Sequence, residues 1–168
     1  MKTRARSNIF LAIMAIILTA SLAVPATAHQ VPFKGSLQGN DTDTCFSFPI
    51  ACVATNGTGN STLLGKFSFT MQNFVNVVTG TDSGFARFIA ANGDTIDATF
   101  VGSGEFITPD LISIKETFTI TGGTGRFAGA QGSFNVERLA SPVTFMTSGS
   151  FDGTITSPGE AHAEADED

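Results

Sequence analysis

Glu116 is the residue whose surroundings in the sequence most favour chemistry. It lies in an alternating run at residues 111–121, where it shares its parity with four apolar residues. Successive side chains of a β-strand point to opposite faces, so a strand here places the carboxylate on an apolar face. If that face lines a cavity, burial raises the carboxyl pKa and makes Glu116 a candidate general acid or base. The alternative is a structural carboxylate that accepts hydrogen bonds from the following glycine turn or pairs with Arg126 or Arg87.

Asn73 is the second polar residue that the alternation places on an apolar face. It lies between Met71 and Val75 in the long run of residues 63–78. A core hydrogen bond and a contact with a ligand both explain an amide at this position. Aromatic residues would line the same interior, and we predict four of them as lumen residues: Phe67, Phe69, Phe118 and Phe134.

The histidines exclude several classes of active site. The two histidines, His29 and His162, both lie outside the alternating runs. A Ser-His-Asp or Cys-His catalytic site needs a histidine that the fold holds in place, and a zinc site of His and Cys lacks its ligands here. We therefore predict no metal site and no cofactor.

A glycine-rich segment connects two of the predicted strands. Gly122, Gly123 and Gly125 end the first strand, where a positive φ is expected. Arg126 and Phe127 follow as a tight turn, and we predict that Phe127 fills one end of a barrel. A phosphate-binding loop would need a Lys followed by Ser or Thr at the start of a helix, and a Rossmann turn would also need a following helix. The segment has neither, which argues against a nucleotide site.

The run GGTGRFAGAQG at residues 122–132, preceded by the strand that carries Glu116, resembles the hallmark of the allene oxide cyclase and dirigent superfamily. The resemblance extends over residues 64–155 and is closest to small secreted bacterial proteins with an allene oxide cyclase-like barrel domain. It implies an antiparallel barrel of about eight strands with an internal cavity. In the plant members that cavity holds an oxylipin epoxide or a phenolic radical pair. The resemblance also implies a homo-oligomer, often a trimer.

Two functions from different classes fit these observations. The first is a non-catalytic exported barrel that binds a small apolar ligand or acts as an extracellular interaction module. The second is an isomerase or cyclase of the allene oxide cyclase or dirigent type, in which Glu116 assists proton transfer on a reactive apolar substrate. Dirigent proteins use tyrosines in the lumen, and this sequence has no Tyr, which favours the first function. A cavity where Glu116 and Asn73 converge would favour the second, whereas a lumen filled by Phe would leave only an interaction role.

The elements that would position these residues are β-strands. Gly, Thr, Ser and Asn interrupt the chain at short intervals, and Phe, Ile and Val fill the runs between them, a pattern typical of a sandwich or barrel. Asn92 and Gly93 between two alternating runs predict a hairpin. We predict an all-β domain over residues 29–157, in which seven or eight antiparallel strands close into one barrel, since closure removes exposed edges. Residues 39–62, rich in Gly, Asn and Thr, are predicted to form a long decorated loop.

The N-terminal segment has the three parts of a cleavable signal peptide. Lys2, Arg4 and Arg6 precede an apolar run at residues 9–18, and small residues at 26 and 28 suit cleavage before His29. The apolar run is shorter than the roughly 20 residues that a spanning helix needs. We therefore predict a signal peptide at residues 1–28, a secreted or extracytoplasmic location and no membrane span in the mature form.

Export gives the cysteines and the charge a consistent interpretation. An even count of cysteines in an exported chain favours pairing, so Cys45 and Cys52 are predicted to form a disulfide. Cleavage removes three of the nine basic residues and none of the fifteen acidic ones, which leaves a net charge of −9. This charge argues against a nucleic-acid partner. Five of the acids lie in the last nine residues, so residues 158–168 are predicted to form a disordered acidic tail.

Overall fold

The computed structural model describes residues 29–156 together with Pro158 and Gly159. The predicted signal peptide and most of the predicted acidic tail lie outside the described residues. The described chain forms a closed antiparallel barrel in which each strand pairs with its neighbours in sequence and the last pairs with the first, so the prediction of an all-β, eight-stranded barrel is confirmed. The eight strands are β1 (Gln30–Ser47), β2 (Ile50–Ser61), β3 (Gly65–Asn76), β4 (Thr81–Ala90), β5 (Thr95–Thr108), β6 (Leu111–Gly123), β7 (Gly132–Ala140) and β8 (Met146–Thr156).

The decorated loop predicted at residues 39–62 is wrong. β1 and β2 continue through this region and pair with each other from Gly35–Ser61 to Ser47–Ile50. The reason for the error is that several inward positions of these strands are glycines rather than apolar residues, so no apolar alternation marks them. A Cβ on Gly35 would lie 2.6 Å from the ring of Phe151, and a Cβ on Gly57 would lie 2.6 Å from the ring of Phe69. Large rings on other strands therefore occupy the space that the glycines leave.

The turns divide between the two ends of the barrel, because consecutive strands run in opposite directions. We call the end that carries the turns at residues 62–64, 91–94 and 124–131 the closed end; β1 also begins and β8 ends there, with Gln30 opposite Thr156. The opposite end, which carries residues 48–49, 77–80, 109–110 and 141–145, is the open end. The predicted hairpin at Asn92 and Gly93 is confirmed as the β4–β5 connection.

Phenylalanine fills the half of the barrel nearer the closed end. The rings make contacts with centroids about 5–6 Å apart, for example 5.1 Å between Phe33 and Phe134 and 4.9 Å between Phe118 and Phe134. Isoleucines from β5, β6 and β8 complete this core. The buried phenylalanines are Phe33, Phe67, Phe69, Phe88, Phe100, Phe118, Phe127, Phe134 and Phe151.

The glycine-rich connection between β6 and β7 covers the closed end. Gly122 and Gly125 have φ values of 148° and 56°, backbone conformations that favour glycine. A single 3₁₀ turn, Gly125–Phe127, then directs Phe127 into the core, where it is fully buried. The Arg126 guanidinium lies over the ring of Phe127, with 4.9 Å to the centroid, and donates a hydrogen bond of 2.9 Å to the Leu63 carbonyl. This segment joins three turns of the closed end to the core.

Cys45 and Cys52 form the predicted disulfide. They face each other across the β1–β2 hairpin with 4.8 Å between their Cα atoms, near its tip at the open end. The tip itself is residues 48–49, where the peptide bond before Pro49 is cis. The disulfide therefore links the two strands beyond the level at which the Phe core ends.

Candidate functional site

A cavity of about 450 Å³ occupies the half of the barrel nearer the open end. Its walls are mainly apolar side chains from β2, β3, β5 and β6, among them Val53, Val75, Phe106, Ile112 and Ile114. Its floor, where the Phe core begins, is polar and carries Asp41, Asn73, Asp82 and Arg138. A larger groove of about 970 Å³ lies on the outer wall across β8, β1, β2, β3 and β4, but its polar side chains face solvent and no buried charged group contributes to it.

A buried ion pair forms the centre of the floor. Arg138 donates to both carboxylate oxygens of Glu116, from Nη2 to Oε1 at 2.7 Å and from Nε to Oε2 at 3.0 Å. The exposed fractions of the two side chains are 4% and 0%. Because Glu116 lies opposite Val136 and Arg138 lies opposite Ile114 on adjacent strands, the pair is a diagonal contact on the inner face of the barrel. Because the geometry is bidentate, both oxygens of Glu116 are occupied by hydrogen bonds from the guanidinium.

Hydrogen bonds extend from this ion pair to four further strands. Arg138 also donates to the Thr147 hydroxyl at 3.2 Å and to the Asn73 side-chain oxygen at 3.4 Å. Asn73 donates to the Val53 carbonyl at 2.9 Å and to the Thr55 hydroxyl at 3.2 Å. The Thr55 hydroxyl in turn donates to Asp41 Oδ1 at 2.6 Å. The network joins β1, β2, β3, β6, β7 and β8, so the floor is held in place from most of the barrel wall.

Asp82 is the acid of the floor whose buried side-chain oxygen has no hydrogen-bond donor. It lies opposite Gly102, and Gly102 lies opposite Glu116, so one glycine separates two carboxyl-bearing positions on three adjacent strands. A Cβ on Gly102 would lie 2.7 Å from Asp82 Oδ1 and 2.7 Å from Glu116 Cγ. The absence of a side chain at position 102 therefore creates the space in which the two acids approach each other.

The environment of Asp82 favours its protonated form. Asp82 is 8% exposed, and its Oδ1 is buried without a hydrogen-bond donor. Burial, the charge of Glu116 and the hydrogen bond that the protonated acid makes to Glu116 raise the pKa of Asp82 to about 7. The charge of Arg138 opposes this shift. A protonated Asp82 would donate to Glu116 and so satisfy the buried oxygen. Burial also raises the pKa of Asp41, against the hydrogen bond from Thr55 and the charge of Arg138.

The two polar residues predicted from the sequence both belong to this network. Asn73 lines the cavity, whereas Glu116 lies beneath it and is enclosed by Arg138. The expected partners of Glu116 were Arg126 or Arg87, and this expectation is wrong. Arg87 pairs with Asp97 on the outer wall, and Arg126 pairs with Asp94 at the closed end, far along the barrel from Glu116.

The four predicted lumen phenylalanines point into the barrel but lie in its packed half. Phe67, Phe69, Phe118 and Phe134 are all buried in the core cluster. None of them is among the residues that line the cavity. The only phenylalanines of the lining, Phe106 and Phe145, come from the open end.

Sequence reasoning missed Asp82 and Arg138, although the signal that identified Glu116 also marks them. Asp82 has the same parity as the buried Ala86 and Phe88 on β4, and Arg138 has the same parity as the buried Val136 on β7. Asp82 follows Gly80 by two residues, and a glycine so close before it indicates a turn instead of an inward strand position. The strand begins one residue earlier, at Thr81, which places Asp82 on the inner face.

Comparison with protein-family models, with curated proteins and with solved structures finds no match for this chain. Within the described part of the chain, no helix is long and apolar enough to cross a membrane. The same residues contain no group of three or more His, Cys, Asp or Glu placed to hold a metal ion. The geometry of the cavity is therefore the basis for a functional assignment.

Proposed function

We propose that this protein is an exported barrel that binds a small, mainly apolar ligand with one polar end in the cavity of the open end. The observation that carries the proposal is the contrast within that cavity between apolar walls and a hydrogen-bonded, ionisable floor. Ligand sites typically enclose about 300–1,000 Å³, with apolar walls and a few placed polar groups. The volume of about 450 Å³ suits a ligand of modest size.

Two features support an extracytoplasmic location. Residues 1–28 have the pattern of a signal peptide. The disulfide between Cys45 and Cys52 is of a kind that persists in oxidising compartments. An exported ligand-binding protein would meet its ligand outside the cytoplasm.

Binding of an environment-sensitive naphthalene dye to the purified protein tests the proposal. The chain has no Trp and no Tyr, so the dye is read against a very low intrinsic background. Val53→Phe would fill the cavity from β2, and Thr119→Phe is the control because Thr119 is exposed on the outer face of β6 and does not line the cavity. We expect Val53→Phe to abolish most of the dye binding and Thr119→Phe to retain it. Equal binding by both variants would place the dye outside the cavity and contradict the proposal.

The second candidate is an isomerase or cyclase of the allene oxide cyclase or dirigent type. The specific observation in its favour is Asp82, a carboxyl at the cavity floor whose pKa is raised to about 7. An acid or base acts best when its pKa lies near the working pH. In this candidate Asp82 takes the acid–base role that the sequence suggested for Glu116. Stereoselective cyclisation of a fatty-acid epoxide that is lost in Asp82→Asn and kept in Glu105→Gln would support it.

An interaction role is supported by the outer wall. Phe74, Phe85 and Val101 are exposed on adjacent strands β3, β4 and β5, and the rings of Phe74 and Phe85 lie 6.3 Å apart. The resemblance implies a homo-oligomer, often a trimer in the plant proteins that the sequence resembles. We propose that this patch joins the copies of the chain in such an oligomer. Light scattering of wild type and of Phe85→Glu tests this, since a monomeric wild type would contradict it.

A further inference from the structure

The cavity contains more acidic than basic groups. Asp41, Asp43 and Asp82 line it, and Arg138 is the only basic residue among the described residues of the lining. Glu116 already binds Arg138 through both oxygens, so the guanidinium charge is balanced from below the floor. Arg138 also attracts Asp41 and Asp82, but its one charge is shared with Glu116, so the carboxyl groups of the cavity outnumber the cation.

Asp82 is the lining carboxyl whose hydrogen bonds the protein does not complete. It lines the cavity, it is more than nine-tenths buried, and its Oδ1 has no hydrogen-bond donor. A buried polar atom left unsatisfied is costly, so native proteins rarely keep one without a reason. Oδ1 faces Gly102 beside Glu116, so a proton shared with Glu116 would satisfy it. A cation on the cavity side of the same carboxyl would instead stabilise its charged form.

We propose that the ligand of this cavity is an organic ammonium ion with an apolar body, bound with its ammonium group at Asp82. The inference rests on the proposed ligand-binding function and specifies the ligand class. An ammonium group offers three hydrogen-bond donors and the positive charge that the floor lacks. The apolar body would lie against Val75, Ile112 and Ile114 on the cavity wall.

Ligands of other charge types fit the cavity less well than an organic ammonium ion. An anionic ligand would face Asp41, Asp43 and Asp82 with no free cation among the described lining residues. A metal ion has no suitable group of ligands within the described chain. A neutral alcohol can donate one hydrogen bond to Asp82 but leaves the acidic excess uncompensated. The ammonium class is the one whose charge and donors both match.

Binding of such a cation is coupled to the release of a proton from Asp82. The charged groups that act on Asp82 are Glu116 from β6 and Arg138 from β7, and Asp41 from β1 lines the same cavity. Its register partners, Val75 on β3 and Gly102 on β5, carry no charge. In the empty cavity Asp82 keeps its proton up to a pH of about 7. The ammonium ion stabilises the carboxylate, so binding below that pH releases the Asp82 proton to solvent.

Calorimetry with n-hexylamine, hexan-1-ol and hexanoate tests the inference. We expect hexylamine to bind more tightly than the other two at pH 8.5, and its affinity to fall about ten-fold by pH 6, since protons then compete for Asp82. Titrations at pH 6 in two buffers of different ionisation enthalpy should reveal the release of about one proton per hexylamine, and almost none at pH 8.5. Hexan-1-ol should show neither effect.

Two variants test whether the preference for hexylamine and the proton release arise at Asp82. Asp82→Asn should remove both the preference for hexylamine and the proton release, whereas Glu105→Gln makes the same charge change outside the cavity and should keep both. The proton release is measured on the wild type and so does not depend on how well Asp82→Asn folds. If hexan-1-ol matches hexylamine, or if Asp82→Asn keeps the preference, the ammonium class is overturned while the binding cavity stands. Failure of all three compounds and of the dye would overturn the proposed function itself.

Discussion

The two ends of this barrel differ in what their side chains do. At the closed end the large apolar side chains of Leu64 and Phe127 in the turns are buried, and the interior beneath them is filled by phenylalanine. At the open end the interior is hollow, and the exposed large apolar side chains are concentrated on the hairpin tips, at Phe46, Phe48, Val77, Val78, Phe106, Ile107, Val143, Phe145 and Met146. One end therefore contributes the stability of the fold, and the other end leaves its apolar groups available for contacts with other molecules.

The largest expected effect distinguishes phenylalanines at the two ends. Phe118→Ala removes a fully buried ring from the packed half and should lower the free energy of unfolding by about 4 kcal/mol. Phe106→Ala removes a ring that is 66% exposed at the open end and should cost less than about 1 kcal/mol. Urea titration followed by far-ultraviolet circular dichroism measures both. Similar losses in the two variants would contradict a division between a stabilising and a binding half.

The next-largest loss of stability is expected at the ion pair of Arg138 and Glu116, which lies between the packed half and the hollow half of the barrel. Arg138→Met leaves the Glu116 carboxylate buried without its cation, so we expect a loss of about 3 kcal/mol in the free energy of unfolding. Lys115→Met, which removes the exposed pair with Glu137 on the outer face of the same two strands, should cost less than about 1 kcal/mol. The double variant Glu116→Gln/Arg138→Met should recover part of the loss. No recovery would mean that Arg138 acts through packing instead of charge.

Removal of the disulfide tests how far the stability of the open end depends on this cross-link. Replacing Cys45 and Cys52 by Ala removes a short closed loop and should lower the free energy of unfolding by about 2 kcal/mol. Because the disulfide lies beyond the Phe core, amide exchange should accelerate in the tip of the β1–β2 hairpin and remain unchanged around Phe118. Faster exchange throughout the barrel would show that the two halves are one cooperative unit.

Asp82 should also change the pH dependence of stability, an effect that is measured as a slope and not as a loss at a single pH. The unfolded chain releases the Asp82 proton near the ordinary value of 3.8, whereas the folded protein keeps it up to about 7. The folded state therefore binds more protons in this window, so Asp82 makes stability fall as the pH rises through it. Asp82→Asn should remove this contribution and be relatively more stable than wild type at pH 8 than at pH 4. Melting temperatures of both proteins across this range measure it, and parallel curves would contradict the shift.

The sequence predicted the barrel because period-two alternation is strong wherever inward positions carry apolar residues, as on β3 and β6. It failed on residues 39–62, where glycines face inward and the rings that cover them come from the neighbouring strands. No local pattern reports such a partner, since Gly57 and the ring of Phe69 meet only after the strands pair.

The candidate site was predicted only in part for a related reason. Parity placed Glu116 and Asn73 on the inner face, but it could not show that Arg138 would enclose Glu116. Which acid remains available to a ligand depends on register across three strands, where Gly102 brings Asp82 and Glu116 together. Register is a property of the assembled sheet, and the sequence of one strand does not contain it.

The pairing of Gln30 with Thr156 at the closed end has a practical consequence. Both ends of the folded domain leave from the side opposite the cavity mouth. A linker, an affinity handle or a fused domain attached next to Gln30 or Thr156 would hold the barrel by its base, with the mouth directed away from the attachment point. A barrel attached to a sensor surface at these positions keeps its mouth open to ligand, which gives an orientation-controlled binding assay.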